Sequence, residues 1–252
     1  MLAAQRRELM IDRLRAEGQV TAKDLAVELD VSEDSVRRDL RELAAAGLCQ
    51  RVYGGALPVS PALAGYGARR GVAVESKARV ARAAVQLLTP GATVILDGGT
   101  TTLAVVHTLP RDLAARVITH SPTIAAALLE HPKADVFLLG GQLFKHSAVT
   151  CGAAAVEAAQ TVHADLFLLG VTGVHPDAGL TTGDPDEAAM KRALTRRAAE
   201  TYVLASSEKI GAASPFTVVG FGDVAGVVTD AEPSEPTLRR LGEAGVPVLH
   251  AV

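Results

Sequence analysis

From Lys77 onward the chain alternates between short apolar runs and alanine-rich stretches, and this alternation constrains the fold more than any other feature. Runs rich in Val, Ile and Leu predict strands at 93–97, 117–119, 135–139, 165–169, 201–205, 226–229 and 246–250. Helical periodicity between them predicts helices at 78–88, 101–108, 122–130, 153–161, 186–198 and 234–243. Apolar strands separated by helices indicate an α/β domain with a mainly parallel sheet, covered by helices on both faces.

The core of such a domain has to be built almost without aromatic side chains. Phe, Tyr and Trp together make up 3% of the 252 residues, whereas apolar residues make up 48%. We therefore expect a core of Ala, Val and Leu. An apolar fraction of this size excludes a mainly disordered or fibrous chain.

The first 57 residues have a different character, with many charges and helix formers. Helical periodicity predicts a first helix over 6–17, which Gly18 ends. Thr21 and Ser32 are suited to cap a second and a third helix, because their hydroxyls can accept a bond from a free N–H of the first turn. Two helices joined by a tight turn, followed by a short strand pair that turns at Gly54-Gly55, predict a winged helix-turn-helix.

The third helix, about 33–46, is the candidate recognition helix for DNA. Its apolar stripe of Val36, Leu40 and Leu43 would face the core. The opposite face and the wing supply groups that can bond phosphates and base edges, namely Ser35, Arg37, Arg38, Arg41 and Arg51. The alternative is a solvated face on which the arginines pair with Glu33, Asp34 or Glu42, since the first 56 residues are slightly acidic.

Residues 58–76 contain several Pro and Gly residues and no apolar period. This composition is typical of a linker that is partly ordered at best. The sequence therefore predicts three parts: a DNA-binding domain over 1–57, a linker over 58–76 and an effector domain over 77–252.

Small and cationic residues follow several of the predicted strands. Asp97-Gly98-Gly99-Thr100-Thr101-Thr102 ends the first strand and opens a helix, so backbone N–H groups and Thr hydroxyls could hold a phosphate there. As a motif it is also compatible with a simple turn and helix cap. Other strand ends carry His120-Ser121, Gly141 with Lys145 and Ser147, Gly170 to Gly173, and Ser206 to Lys209. Parallel strands bring their carboxyl ends to one edge, which favours a site for a small anionic ligand.

The remaining sequence features argue against a disulfide-rich, zinc-binding, membrane-spanning or secreted protein. Two cysteines, Cys49 and Cys151, cannot build a disulfide framework, and no Cys/His pair has the spacing of a zinc site. We expect neither a metal nor a cofactor. The longest apolar runs are too short to span a bilayer, and Met1 to Arg7 lack the order of a signal peptide. We therefore expect a cytoplasmic protein with no membrane partner.

The amino-terminal region resembles the DeoR family of bacterial transcriptional regulators. The family shares a Val-Ser-x-x-Thr-Ile-Arg-Arg-Asp-Leu signature and an Arg-x-x-Gly-Gly-Ala wing. Here Val31 to Leu40 matches the signature, with Ser35-Val36 in place of Thr-Ile, and Arg51 to Ala56 matches the wing. The resemblance implies operator DNA as a partner, with Ser35, Arg37 and Arg38 as contacts. Asp39 is expected to orient an arginine or a backbone group, because a carboxylate repels phosphate.

The resemblance extends through the second part of the chain. The DeoR effector domain is similar to the ribose-5-phosphate isomerase fold, which implies a phosphorylated sugar as effector. Two departures concern the identity of that sugar: His120 replaces the usual Asn, and Ser206 stands where the family usually has Asp. The residues expected around the effector are Asp97, Gly99, Thr100, Thr101, Ser121, Gly141, Lys145, Lys191 and Lys209.

Catalysis is the main alternative function. An aldose–ketose isomerase needs a carboxylate base beside the carbonyl, and the related isomerases carry acidic residues after the strand that corresponds to 165–169. Here that segment, 170–174, has no carboxylate, although Glu187 could still act as a base. We therefore expect no enzyme but a regulator, in particular a repressor of sugar-metabolism genes that acts as a homodimer or homotetramer. A winged-helix protein that binds DNA without any ligand is the third interpretation.

Overall fold

The computed structural model describes residues 2–252, with the side chains of Arg15 and Ala16 left out. The amino-terminal part comprises α1 (Ala3–Glu17), β1 (Val20–Thr21), α2 (Ala22–Glu28), α3 (Glu33–Ala45), β2 (Gln50–Val52) and β3 (Gly55–Leu57). The three strands form a small antiparallel sheet in the order β1-β3-β2. This is the predicted winged helix-turn-helix, with β1 as an additional strand.

Side-chain caps and one apolar cluster explain why these short helices form. The Thr21 hydroxyl accepts from the N–H of Asp24, and the Ser32 hydroxyl accepts from the N–H of Ser35, as their sequence positions predicted. Val36 and Leu40 of α3 pack with residues of α1 and α2 in a common core. The wing packs so closely on β1 that a Cβ atom on Gly55 would lie 1.9 Å from the carbonyl oxygen of Val20.

The segment that follows the wing is more structured than predicted. It contains a helical turn, Pro61–Leu63, and α4 (Tyr66–Arg69), and it leads into α5 (Val74–Val85). The predicted low order fails because polar groups rather than an apolar period hold this segment. The amine of Lys77 donates to the carbonyl oxygen of Arg69 at 2.7 Å, and Val59 forms an isolated parallel bridge with Ala213.

The rest of the chain alternates strands and helices. In chain order it contains β4 (Thr93–Leu96), α6 (Thr100–Thr108), β5 (Ala115–Thr119), α7 (Pro122–Ala127), β6 (Ala134–Leu138), β7 (Gln142–Phe144), β8 (Val149–Cys151), α8 (Ala153–Ala159), β9 (Ala164–Gly170), β10 (Gly173–His175), β11 (Gly179–Thr182), α9 (Pro185–Thr195), β12 (Ala198–Leu204), β13 (Phe216–Val219), β14 (Gly226–Thr229), α10 (Pro236–Glu243) and β15 (Val248–His250).

Seven parallel strands form the central sheet in the order β15-β14-β12-β9-β4-β5-β6. These are the seven strands that the sequence predicted. From β4 the chain proceeds outward through β5 to β6, and from β9 it proceeds the other way through β12, β14 and β15. The direction therefore reverses between β4 and β9, and such a reversal opens a crevice at the carboxyl ends of the two strands.

Alternating side chains of the central strands divide the core into two layers. Val94 and Leu96 of β4 pack in one cluster, whereas Ile95 packs in the other. Helices α5, α6 and α7 supply residues to the first cluster, and α8, α9 and α10 supply residues to the second. The sheet is thus covered on both faces, as predicted, and the core is mostly aliphatic, with the ring of Phe167 fully buried in the second cluster.

The outermost strand β6 departs from this description. Its side chains Phe137 and Leu138 are 51% and 45% exposed, because this strand pairs only with β5 and lies beyond most of the helical cover. A hairpin of β7 and β8 and an antiparallel sheet in the order β10-β11-β13 complete the domain. Within residues 2–252, none of the helices is long and apolar enough to cross a membrane.

Candidate nucleic-acid interface and ligand cleft

The three predicted DNA-binding arginines of the outer face of α3 differ in their interactions within the protein. Arg37 forms ion pairs with Glu33 and Asp34 one turn earlier, two of the pairings that the alternative interpretation expected. Arg41 donates through Nε to the carbonyl oxygen of Arg37 at 3.3 Å. Arg38 is exposed and forms no hydrogen bond or ion pair within the described part of the chain. Arg38 is therefore the arginine of this face that is free to bind another molecule.

The remaining predicted DNA residues lie at the two ends of this face. Ser35 is half-buried and its hydroxyl lies 3.0 Å from that of Ser32, within the cap of α3. Arg51 is exposed on β2 of the wing. Asp39 is buried and accepts from Nε of Arg6 at 2.6 Å. It thus orients an arginine, as expected, and that arginine belongs to α1.

A cleft opens at the reversal point of the central sheet. It encloses about 490 Å³, including its mouth, and lies where β4 and β9 end. Its lining is polar and contains four cationic side chains. The lining residues are Ala62, Arg69, Val72, Lys77, Gly98, Gly99, Thr100, Thr101, Thr102, Ser147, Gly170, Val171, Thr172, Thr182, Glu187, Glu208, Lys191 and Lys209.

The amino terminus of α6 forms one wall of the cleft. Gly99 precedes the helix with φ at +109°, a backbone conformation that glycine adopts without strain, and Thr100 to Thr102 form the first turn. The free N–H groups of a first turn and the positive end of the helix dipole favour an anion at this place. Lys209, buried on the opposite side, donates to the hydroxyl of Thr101 at 2.9 Å.

Burial lowers the pKa of Lys209 to about 8, and the neighbouring cations Lys77, Arg69 and Lys191 act in the same direction. The carboxylate of Glu208 opposes them. Burial is the main cause of this lowered pKa and the nearby cations add to it, so the surroundings of Lys209 are short of negative charge. An anionic ligand would supply that charge.

Asp97 is completely buried beneath the cleft and holds the surrounding loops together. Its carboxylate accepts from the N–H of Gly98 at 2.8 Å and from the N–H of Gly170 at 2.7 Å, which ties the ends of β4 and β9 to each other. It also forms an ion pair with Lys191. Burial alone would raise the pKa of Asp97, but Lys191 and His120 outweigh burial and hold it well below its ordinary range.

His120 lies between two acceptors. Its Nε2 is 2.7 Å from a carboxylate oxygen of Asp97, and its Nδ1 is 2.8 Å from the carbonyl oxygen of Thr150. The two contacts, on opposite sides of the ring, hold the imidazole in one orientation. The residue that replaces the usual Asn thus supports the loop from below and does not line the cleft.

Glu187 and Lys191, one turn apart on α9, connect this buried centre to the cleft. The carboxylate of Glu187 lies 3.4 Å from the amine of Lys191 and accepts from the hydroxyl of Ser147 at 3.1 Å. Burial opposes the charge of Lys191, but Asp97 and Glu187 raise its pKa overall. Both charges are therefore already compensated within the protein.

Four of the nine predicted ligand residues do not line the cleft, and one of these, Asp97, lies buried beneath it. Ser121 follows β5 and donates to the carbonyl oxygen of Ala148, facing the β7–β8 hairpin. Gly141 and Lys145 lie on or beside β7 and are exposed. For Ser121, Gly141 and Lys145 the physical reason is the strand order, since β5 and β6 lie on the outer side of β4, away from the reversal between β4 and β9. Gly99, Thr100, Thr101, Lys191 and Lys209 do line it, above Asp97.

Residues 58–76 contribute to the cleft in a way that the sequence did not predict. Ala62, Arg69 and Val72 line the cleft, whereas the sequence predicted only a linker in this segment. The available signal was the pair Arg69-Arg70, two cations in a segment without apolar period. No group of three or more His, Cys, Asp or Glu side chains in residues 2–252 is placed to hold a metal ion.

Comparison with known proteins agrees with this two-part organisation. The model of the DeoR-like helix-turn-helix domain matches residues 6–62, and the model of the DeoR C terminal sensor domain matches residues 72–231. Among solved structures, ribose 5-phosphate isomerase A from Methanocaldococcus jannaschii is 18% identical, with a TM-score of 0.40 and coverage of 53% of each chain.

Two curated relatives are similar along nearly their whole length. The transcriptional regulator FruR of Bacillus subtilis, described as uncharacterised, is 33% identical over 92% of this chain and 93% of its own. The glycerol-3-phosphate regulon repressor of Escherichia coli is 30% identical over 96% of both chains. The recognition helix, the cleft and these matches together lead to one conclusion: the chain belongs to the DeoR family of DNA-binding transcriptional regulators.

Proposed function

We propose that this regulator represses genes of sugar metabolism and that a phosphorylated sugar or polyol, bound in the cleft, controls its affinity for operator DNA. The proposal includes α3 and the wing as the DNA-binding surface, with Arg38 as its central contact. It also includes a homodimer or homotetramer, since two copies are needed to read paired half-sites. The name of the glycerol-3-phosphate regulon repressor supports this class of effector.

The observation that carries the proposal is a set of buried polar atoms without partners around the cleft. Within residues 2–252, Nε and Nη2 of Arg69, the hydroxyls of Thr102 and Thr182, and Oε2 of Glu208 are buried and make no hydrogen bond. Buried polar atoms without partners are rare, because each one costs free energy. A ligand that carries both an anionic group and hydroxyl groups would provide hydrogen-bond partners for the guanidinium of Arg69, the two threonine hydroxyls and the carboxylate of Glu208.

The ligand class can be tested by thermal unfolding of the full chain. The panel is glycerol 3-phosphate, fructose 1-phosphate and glucose 6-phosphate, each beside its unphosphorylated parent. A ligand at 100 times its Kd adds about 2.7 kcal/mol of stability, which raises the Tm of a chain of this size by roughly 5–10 °C. We expect a phosphorylated compound to do this and its parent not to. Equal shifts by both would contradict a phosphate site.

We further propose that the cleft binds its ligand without turnover. Proton transfer beside a carbonyl needs a carboxylate that is free to act as a base, and Glu187 is held by Lys191 and Ser147. The purified protein is expected not to interconvert aldose and ketose phosphates above background. Turnover that disappears in Glu187→Gln or Glu208→Gln would establish an enzyme instead.

A further inference from the structure

The segment between the wing and the sensor domain, residues 58–73, forms part of the ligand cleft. We refer to it as the strap. It begins after β3 and ends where α5 begins, so it is the covalent connection between the DNA-binding part and the sheet. Its residues Ala62, Arg69 and Val72 line the cleft. Any ligand in the cleft therefore touches the connection that leads to the recognition helix.

The guanidinium of Arg69 has the properties of a binding group that lacks its ligand. The residue is 9% exposed, and its Nε and Nη2 make no hydrogen bond to any described residue. Burial lowers the pKa of Arg69, although the charges of Glu187, Tyr66 and Asp97 oppose this. A guanidinium presents two parallel N–H donors to an oxyanion, and its use in phosphate recognition depends on that geometry.

The strap is fastened at points that adjoin the cleft. The amine of Lys77 donates to the carbonyl oxygens of Arg69 and Val72. On the other side, the N–H of Tyr66 donates to the carbonyl oxygen of His146 at 2.7 Å, and the ring of His146 lies 2.9 Å from the carbonyl oxygen of Leu63.

The fastening residues are directly connected to cleft residues. His146 precedes Ser147, whose hydroxyl lies in the cleft and donates to Glu187. The first helical turn of the strap packs against the turn Ser207–Lys209, which carries the buried amine of Lys209. Two of the groups that position the strap, Lys77 and the turn that carries Lys209, thus also belong to the cleft lining.

We propose that Arg69 binds the anionic group of the effector, so that the bound ligand fixes the strap and, through it, the DNA-binding domain. The inference rests on the proposed function and adds to it the residue and the segment that respond to the ligand. The first turn of α6 and Lys209 contact the anion from the sheet, whereas Arg69 contacts it from the strap. Loss of the ligand releases the strap from this contact.

The first experiment compares two neighbouring arginines of the full chain, using inorganic phosphate as the probe. Arg69→Met removes the buried cation, and Arg70→Met is the matched control because Arg70 is exposed. Calorimetric titration is expected to show phosphate affinity reduced at least about tenfold in Arg69→Met and unchanged in Arg70→Met. Equal phosphate affinity in Arg69→Met and the wild type would overturn the proposal.

Thermal unfolding without ligand separates a binding role from a structural one. Because Arg69 is buried without a compensating partner at two of its nitrogens, the Tm of Arg69→Met is expected to equal or exceed that of the wild type. A structural arginine would give a lower Tm, which would contradict the proposal. Arg69→Lys keeps the charge but loses the two parallel donors, and it is expected to bind phosphate more weakly than the wild type; equal affinity would also contradict the proposal.

Hydrogen exchange of the full chain tests the strap itself. Inorganic phosphate at ten times its Kd is expected to slow exchange of the strap amides about tenfold in the wild type and not in Arg69→Met. Slower exchange in the first turn of α6 without a change in the strap would overturn the role of the strap and leave the proposed function intact. No phosphate binding by the wild type would refute both.

Discussion

Arg37 and Arg38 are adjacent in the chain but differ in their ion pairs. Arg37 is paired with Glu33 and Asp34, whereas Arg38 is exposed and has no partner within residues 2–252. We expect Arg38→Ala to weaken binding to a duplex selected from a random-sequence pool by about 1–3 kcal/mol. Arg37→Ala is expected to cost less, because its carboxylate partners reduce its attraction to DNA. Fluorescence anisotropy of a labelled duplex measures both.

The control for this pair is Arg82→Ala, which removes an exposed arginine from α5 of the sensor domain. It changes the net charge equally and should leave the duplex affinity unchanged. Unchanged affinity in Arg37→Ala and Arg38→Ala alike would remove α3 from the DNA interface.

Lys209 makes ligand binding dependent on pH. Its pKa is lowered to about 8, so the amine of the free protein loses its charge as the pH rises through that value. A phosphate monoester is fully dianionic above its second pKa of about 6. We expect affinity for the phosphorylated ligand to be highest near pH 7 and to fall above pH 8, with uptake of a proton on binding. Calorimetry at pH 7 and pH 9.5, in two buffers of different ionisation enthalpy, measures both effects.

Lys209→Gln should bind the ligand some tenfold or more weakly at pH 7, since a charge-assisted bond contributes roughly 1.5–3 kcal/mol. It should also lack the decline above pH 8. Lys145→Gln is the matched control, because Lys145 is exposed outside the cleft. A wild-type affinity that is the same at pH 7 and pH 9.5 would contradict the role of Lys209.

For single residues, the sequence predicted ligand residues that follow strands. It did not predict ligand residues that tertiary contacts place in the cleft. Lys209 and Thr101 could be found because each lies directly after a predicted strand, where parallel sheets bind ligands. The pair Arg69-Arg70 marked its segment, but the place of Arg69 in the cleft could not be predicted, because it depends on backbone contacts of the strap with Lys77 and His146. No local pattern encodes such contacts.

Among the helices, α1 and α3 are joined by one buried ion pair and one exposed pair. Arg6–Asp39 is mostly buried, with side-chain exposures of 14% and 5%, whereas Arg7–Glu42 has exposures of 32% and 52%. Asp39→Ala leaves a buried arginine without its partner and should lower the free energy of unfolding by roughly 3 kcal/mol. Glu42→Ala should cost less than about 1 kcal/mol.

Hydrogen exchange of the α1 and α3 amides in the full chain measures the loss of stability in each variant separately from the stability of the sensor domain. Exchange is expected to accelerate strongly in Asp39→Ala and little in Glu42→Ala. Similar exchange in both variants would show that Asp39 does not anchor the recognition helix.

Elements with long periodic patterns were predictable and short ones were not. The seven sheet strands and the caps at Thr21 and Ser32 follow from apolar runs and hydroxyl positions. The hairpin Gln142–Phe144 and Val149–Cys151 has only three residues in each strand, too few for an alternating pattern to stand out. The strand Val20–Thr21 has two residues and exists because the wing pairs with it.

For the whole molecule, composition and alternation predicted the α/β class but not the strand order. The cleft depends on that order, because the reversal between β4 and β9 decides which strand ends face each other. Ser121 and Lys145 were predicted as ligand residues from strand ends, and Ser121 also from the family resemblance, but the strands that they follow lie on the outer side of β4. The boundaries at 57 and 76 remain predictions, and the strap shows that the predicted linker and the predicted effector domain share the cleft wall.

The regulator acts as a switch only if the cleft ligand binds two states of the molecule unequally. The change in duplex affinity then equals the difference in ligand affinity between the DNA-bound and free protein. A ligand that binds both states equally would stabilise the protein and leave its duplex affinity unchanged.

The most direct measurement is the affinity of the wild-type chain for its selected DNA duplex, with and without the phosphorylated compound that raises its Tm. We predict a change of about 5–150-fold, the range of typical coupling free energies, and no change with the unphosphorylated parent. Arg69→Met should bind the duplex as the unliganded wild type does and respond to the compound weakly or not at all. Failure to select any duplex, or a duplex affinity that no phosphorylated compound alters, would contradict the account.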